Sequence, residues 1–236
     1  LYFLVYIIKR QKKIDEIKND FINNITHEFK TPITTIATAL EGMSTFNPEN
    51  NLEKNKKYIA MSFNQLHKLE NMVEKILETA TLNAKELHLN LVKINLIPFI
   101  KSIIEKHQDI SKKQIVFEFE KEEIFINADS FYLENAISNL IDNAIKYGGN
   151  HIEINCFQTD KNTIINVKDN GNSILKSQEK LIFEKFYRIP KGNIHDIKGY
   201  GIGLYFTKTI VEKHFGTIEL TLTNETIFTI KLPNEY

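Results

Sequence analysis

Cysteine occurs once in this chain, which removes two classes of structure. A lone Cys156 can build neither an internal disulfide framework nor a cysteine-held zinc site. In "HIEINCF" it alternates in phase with Ile152 and Ile154, so it is expected to be a small core residue on a strand. A chain that uses cysteine this way fits a reducing compartment. Net charge is also missing. Lys+Arg and Asp+Glu each number 30, so no basic excess draws the chain to DNA or RNA, and no nucleic-acid partner is expected. Long apolar runs are lacking too. "LYFLVYII" is wholly apolar but far short of the roughly 20 residues that a bilayer requires. "KRQKK" follows it, and basic residues after an apolar run fit the cytoplasmic side of a membrane. Residues 1–10 are therefore expected to be the end of a transmembrane helix and its juxtamembrane stub. The rest would be the cytoplasmic portion of an inner- or plasma-membrane protein. The alternative is a short amphipathic lead-in to the next helix. No complete signal peptide, internal repeat or low-complexity tract is present.

Hydrophobic residues make up 42% of the 236 and charged residues 25%, which is enough to pack a core in one or two domains. Two textures follow one another. From 11 to 86 the pattern is helical. Ile14, Ile17, Phe21, Ile25, Ile33, Ile36, Leu40 and Met43 recur at helical spacing. After the turn-rich "STFNPENN", Leu52, Ile59, Leu66, Val73 and Ala80 repeat every seven residues, with Phe63, Leu69 and Ile76 between them. Two long helices and a short connection give an antiparallel hairpin. One hairpin covers its own apolar stripe poorly, whereas two copies make a four-helix bundle, so a homodimer is expected. From 87 to 236 the pattern becomes mixed α and β. "LHLNLVKINL", "IVFEFE", "HIEINCFQ", "TIINVKDNG", "TIELTLT" and "TIFTIKLP" read as strands, the last two as a hairpin. Asp129 is placed to N-cap a helix over 130–147, and a further helix spans about 203–215. Helices covering one face of a sheet follow from this order.

Five stretches carry possible chemistry. In "NDFINNITHEFKTPI" the helical neighbours of His27 are Asn23, Asn24, Lys30 and Thr31, so His27 faces water. Exposed histidines are commonly incidental. Here Glu28 adjoins it and can take a hydrogen bond from one ring nitrogen, which makes the other more nucleophilic. Thr31 lies one turn on. Pro32 cannot donate to the carbonyl of residue 28, which predicts a helix weakened locally. In "NAISNLIDNAIKY" Asn139, Asn143, Lys146 and Tyr147 share one stripe, and Leu133, Ile137, Leu140 and Ala144 share another. Asparagine is a poor helix-interior residue. Two of them a turn apart form either a solvated face or a set of amide oxygens suited to Mg²⁺, with Lys146 for phosphate and Tyr147 for a base. In "VKDNGNSI" Asp169 and Gly171 mark a turn after a strand, and a buried carboxylate there can accept from an adenine amino group. In "KGYGIGLYF" Gly199, Gly201 and Gly203 precede a helix and would let backbone N–H groups approach phosphate. The spacing is neither a dinucleotide fingerprint nor a Walker A loop. "IFEKFYR" is either core or a closing lid with Arg188 at phosphate.

In this order, THEFKTPI, NLIDNAIKY, DNG, FEKFYR and GYGIGL resemble the sensor histidine kinases of two-component systems over nearly the whole chain after residue 10. The resemblance implies a dimerisation and phosphotransfer hairpin over 11–86, forming a dimeric four-helix bundle. An ATP-binding α/β sandwich over 87–236 would follow, with a mixed sheet and helices on one face. It implies ATP-dependent autophosphorylation and transfer to an aspartate of a response regulator receiver domain. On that resemblance His27 would be the phosphoacceptor and Glu28 its activating base. Thr31 would orient water for dephosphorylation of the regulator. Asn143 would be the chief Mg²⁺ ligand, supported by Asn139. Lys146 and Arg188 would meet phosphate, Tyr147 would stack near adenine, and Asp169 would read the adenine amino group beside Gly171. Gly199, Gly201 and Gly203, with Leu204 next to them, would form the lid hinge and phosphate loop. One departure stands out: the family's D-x-G-x-G loop reads Asp169, Asn170, Gly171, Asn172, Ser173 here. Ser at the second glycine position restricts the backbone. It is the one feature that favours an alternative, a catalytically silent nucleotide- or regulator-binding scaffold. An ATPase of the topoisomerase or mismatch-repair type is disfavoured by the phosphoacceptor hairpin and the neutral charge.

Overall fold

The computed structural model describes residues 2–45, 51–82, 87–109, 111, 113–189 and 201–234. The chain forms two compact units, Leu1–Ala84 and Lys85–Tyr236.

The first unit is a pair of contacting helices, α1 (Tyr2–Ser44) and α2 (Leu52–Leu82). Helix α1 runs through Pro32 without interruption, so the weakening expected there is confined to the one backbone donor that proline lacks. Pro32, Ala39 and Gly42 are buried on one face of α1, and Met72 on α2. At Gly42 the helices approach closely: a Cβ there would lie 3.0 Å from the Tyr58 ring. The strict seven-residue series of the seam is left bare within the hairpin. Leu52, Ile59, Leu66 and Val73 are exposed, as are Ile33 and Leu40 seven residues apart on α1. The described half-buried positions of α2 are Asn55, Tyr58, Met61, Ser62, Gln65, Leu69 and Ile76, so of the expected seam only Leu69 and Ile76 are covered; the Ala80 side chain lies outside the described residues. Helix α2 thus has two faces with apolar residues, one against α1 and one bare. Among the described residues no helix is long and apolar enough to cross a membrane.

The second unit is a one-sided sandwich. Its sheet has the order β2-β4-β5-β7-β6, built from β2 (Gln114–Phe119), β4 (His151–Gln158), β5 (Asn162–Asp169), β6 (Thr217–Leu222) and β7 (Thr226–Pro233). Only β2 and β4 pair in parallel, so the sheet is mixed. Register aligns Phe117, Ile154, Val167, Phe228 and Leu220 across the sheet, and one step along Phe119, Cys156, Ile165, Ile230 and Ile218. These rows meet the apolar faces of α3 (Leu96–Gln108), α4 (Ser130–Tyr147) and α5 (Gly203–Lys213) in a single core. Cys156 sits in it, and burial pushes its thiol up to about 12, so it is an inert core group. The alternate residues form a polar face, where Lys168 meets Glu153 at 2.7 Å and Lys231 meets Glu219 at 2.7 Å. A separate two-stranded ribbon pairs β1 (Val92–Asn95) with β3 (Phe125–Ala128). The strand-like pattern from Leu87 is therefore only partly used. Residues 87–91 alternate in burial but lie outside any strand, because β3 offers four partners and no more.

Helix α4 begins as its cap predicts: the Asp129 carboxylate accepts the Tyr132 N–H at 3.2 Å. Its other oxygen accepts the Asn90 N–H at 2.8 Å. The Asp129 N–H in turn donates to Nε2 of His214 at 2.9 Å, at the end of α5. Nδ1 of His214 lies 2.8 Å from the Ile210 carbonyl, an obligate acceptor, so this ring is the neutral Nδ1–H tautomer. Helix α5 stops there, and the exposed Phe215 turns into the left-handed region at φ 57°, just ahead of Gly216.

Burial holds the His214 pKa below its ordinary value, outweighing the Ile210 carbonyl and the Asp129 charge. Above pH about 6.5 folded and unfolded forms are both neutral; below it the unfolded chain takes a proton that the folded ring refuses. Stability is therefore expected to fall as pH drops from 7 towards 5, measured by urea unfolding. His214→Leu is expected to lose about 1–3 kcal/mol at pH 7.5 through the stranded Asp129 N–H, and to flatten that pH dependence.

Candidate functional site

On the hairpin, His27 is exposed and Glu28 half-buried, next to each other on α1. Thr31 donates its hydroxyl to the His27 carbonyl at 3.3 Å. Thr26 and Thr35 do the same to Ile22 and Thr31, at 2.8 and 2.9 Å. This back-bonding supplies carbonyl partners along the stretch of helix that contains Pro32.

The remaining described candidates lie on the second unit. Asn139, Asn143 and Tyr147 are half-buried along α4, whose opposite stripe of Leu133, Ile137, Leu140 and Ala144 fills the core. Asn139 abuts Gly203 at the start of α5, where a Cβ would lie 3.3 Å from Asn139 Oδ1. The two helices are tied at the same level by Thr207, which donates to the Ala136 carbonyl. Gly201 has φ 67°, and a Cβ on it would lie 2.7 Å from the backbone of Phe186 and of Tyr187. Only glycine tolerates both demands. Gly201 is thus seated on the FEKFYR segment, where the Lys185 ammonium lies 4.8 Å from the Phe186 ring and 5.7 Å from the Tyr205 ring. Burial raises the Tyr147 phenol, partly offset by the charge of Arg188. Leu204 packs against the core. Gly199 lies outside the described residues.

Lys146 does not stand alone. Its ammonium meets Asp142 Oδ2 at 3.2 Å, and Asp142 Oδ1 meets His107 Nδ1 at 3.3 Å. Burial alone would raise the Asp142 carboxyl; the His107 hydrogen bond and the Lys146 charge overcome this and hold it at about 2.

Asp169, at the end of β5, is buried. Burial raises its pKa, against hydrogen bonds from the Gly171 and Gly149 N–H groups and the charge of Lys113. The Gly171 bond measures 2.8 Å. Four neighbours were not singled out by sequence reasoning. Gly148 and Gly149 follow α4, and a Cβ on Gly148 would lie 2.6 Å from Asp169 Cγ. Lys113 donates to the Gly148 carbonyl at 2.9 Å, closing the end of α4. Thr226, buried opposite Asp169 on β7, donates to the Gly171 carbonyl at 3.0 Å. The glycine pair after a helix was a visible signal. Thr226 was not, because its place depends on strand register. Ser173 is half-buried two residues beyond Gly171.

Together these groups line a surface with a buried carboxylate, two amide side chains, cations and glycine backbone. Such a set suits a nucleotide, with the carboxylate for a base amino group and the amides for a hard cation.

Comparison with known proteins agrees. Residues 17–85 match the "His Kinase A (phospho-acceptor) domain", and residues 128–236 match the "Histidine kinase-, DNA gyrase B-, and HSP90-like ATPase" family. The chain is 36% identical to the sensor protein RprX of Bacteroides fragilis, over 98% of this chain and 46% of that protein. It is 26% identical to the sensor histidine kinase WalK of Bacillus subtilis, over 92% of this chain and 36% of that protein. The chain thus spans less than half the length of these two relatives. Among solved structures, histidine kinase ThkA in complex with response regulator protein TrrA is similar at TM-score 0.64 and 27% identity, over 99% of this chain and 66% of that one. The Acinetobacter baumannii histidine kinase AdeS shares the fold at TM-score 0.65 and 22% identity, over 88% and 97% of the two chains.

Gly148→Ala is expected to lower stability by about 1–3 kcal/mol in urea unfolding, because the added Cβ and the Asp169 carboxyl claim the same space.

Proposed function

The chain belongs to the sensor histidine kinases of two-component signalling, and on that premise we propose that it autophosphorylates on His27 with ATP and passes the phosphoryl group to a response regulator. The observation that carries this reading is the exposed His27 beside the half-buried Glu28 on a helical hairpin, in a chain whose second unit places Asp169 beside the end of α4 and Gly203 beside Asn139 on the same helix.

In the first step an unprotonated ring nitrogen of His27 attacks the γ-phosphorus of ATP. The bond to the β–γ bridging oxygen breaks, and ADP leaves with that oxygen. The Glu28 carboxylate accepts the hydrogen bond of the other ring N–H and offsets the positive charge that develops on the ring, the proton staying on that nitrogen. In the second step the His27 N–P bond breaks as a carboxylate oxygen of the regulator's aspartate attacks. His27 returns to neutral imidazole. Both steps need the same atom to meet two partners in turn, which requires His27 to be exposed. Thr31 would place the water that attacks the regulator's aspartyl phosphate, releasing inorganic phosphate and the free carboxylate.

The Asp169 carboxylate accepts the adenine amino group, with Thr226, Gly148 and Gly171 closing round it. Tyr147 lies against the base. Lys146 and Arg188 meet the phosphates, as do the N–H groups of the loop holding Gly199, Gly201 and Gly203. The amide oxygens of Asn143 and Asn139 are hard donors one turn apart, a set that fits Mg²⁺ shared with phosphate and water rather than caged by protein. Bound there, Mg²⁺ supplies charge neutralisation to the transferring phosphoryl group. The bare faces of α1 and α2 are covered by a second copy, which completes a four-helix bundle. The apolar start of α1, followed by Lys9 and Lys12, attaches the chain to a membrane at its cytoplasmic face.

Two measurements test this. With γ-labelled ATP and Mg²⁺, the parent is expected to carry an acid-labile, alkali-stable label. His27→Gln and Asp169→Asn are expected to carry none above background. Equal labelling of His27→Gln would overturn the reading, and tight ATP binding without label would favour the silent scaffold. By light scattering the parent is expected to be a dimer and Ile59→Glu with Leu66→Glu a monomer.

A further inference from the structure

Resting on the ATP reading of the second unit, one cluster has a role that this reading does not assign. Lys146 is the cation of α4 set aside for phosphate, yet its ammonium is engaged by Asp142 one turn earlier. The i,i+4 order here is Asp before Lys, the favourable orientation on a helix. Asp142 is itself fixed from another element, because His107 near the end of α3 reaches its second oxygen. The His107 side chain is mostly covered, at 15% exposure, so this contact is held by packing and not by a mobile surface pair. A fixed negative charge therefore stands between α3 and the cation that has to meet a polyanion. Nucleotide phosphate and the Asp142 carboxylate compete for one ammonium.

We infer that Asp142, clamped by His107, is a positioning residue that restrains Lys146 and weakens the hold of the site on the phosphates of its nucleotide, leaving the hold on adenosine untouched. Such a restraint favours release of the spent nucleotide after each transfer, since both ATP and ADP leave against a competing internal anion. The base pocket is built from Asp169, Gly148, Gly171 and Thr226, none of which contacts this cluster in the described hydrogen bonds and ion pairs.

The test is calorimetric titration of the full chain with a non-hydrolysable ATP analogue plus Mg²⁺, and separately with adenosine. Asp142→Asn is expected to tighten the analogue by about threefold to tenfold, the scale of one partly screened ion pair near a surface. Adenosine affinity is expected to stay within about twofold of the parent, which also reports an intact fold. Asp142→Ser repeats the comparison with a smaller side chain. In a Lys146→Met background the gain from Asp142→Asn is expected to shrink to below about twofold. Unchanged analogue affinity in both Asp142 variants would overturn the inference, and so would a full gain that persists without Lys146. A parent that binds neither analogue nor adenosine would overturn the nucleotide reading itself, and this inference with it.

Discussion

Three segments of the second unit converge on Asp129, and the placement of α4 depends on it. One carboxylate oxygen starts the helix, the other holds the chain at Asn90, and the backbone N–H is received by His214. The bond between the Asp129 N–H and His214 is buried and satisfies two groups that would otherwise lie there without partners. Together the three bonds fix where α4 begins and how it is rotated. That rotation puts Leu133, Ile137, Leu140 and Ala144 into the core and leaves Asn139, Asn143 and Tyr147 half-covered on another stripe. A helix turned by one residue, roughly 100°, would bury amides and expose leucines. The candidate site is therefore a by-product of core packing, held in phase by one capped aspartate.

Legibility followed the range of the interactions. The start of α4 was readable because a cap is a local device: Asp129 and the Tyr132 N–H it accepts lie within one turn, whereas its bonds to Asn90 and His214 come from far along the chain. The strands of the sheet were readable because alternation survives in a face half wet and half buried, as in Ile152, Ile154 and Cys156. What was not readable depended on register or on contacts between elements. Thr226 meets Gly171 because β7 pairs with β5, and no pattern within β7 states that. The glycine pair after α4 is visible as Gly148 and Gly149, but the space that the Asp169 carboxyl takes beside Gly148 depends on how α4 meets β5. The strand pattern at residues 87–91 failed for the same kind of reason, since alternation shows that a segment can pair and not that a partner is long enough.

The hairpin gives the complementary lesson. Its apolar repeat was plain, but a repeat does not say which neighbour it faces. Leu52, Ile59, Leu66 and Val73 keep a strict seven-residue spacing and are bare, while α1 is met by an offset set that includes a tyrosine, a serine and a glutamine. The more regular seam is the one left uncovered. A bare, regular seam is a statement about stoichiometry.

Helix α1 has a mechanical consequence. From Phe3 to His27 it is an unbroken column of about 36 Å at the standard rise. Continuous backbone ties make such a column stiff in both twist and tilt, so a turn imposed at its apolar end swings the imidazole through nearly the same angle. The first missing tie comes only five residues beyond the histidine, at Pro32. Torque arriving from the apolar end thus passes the histidine before it reaches the column's softest joint. The imidazole rides on the rigid side of that joint as the tip of a lever, and the remainder of the helix can lag behind it.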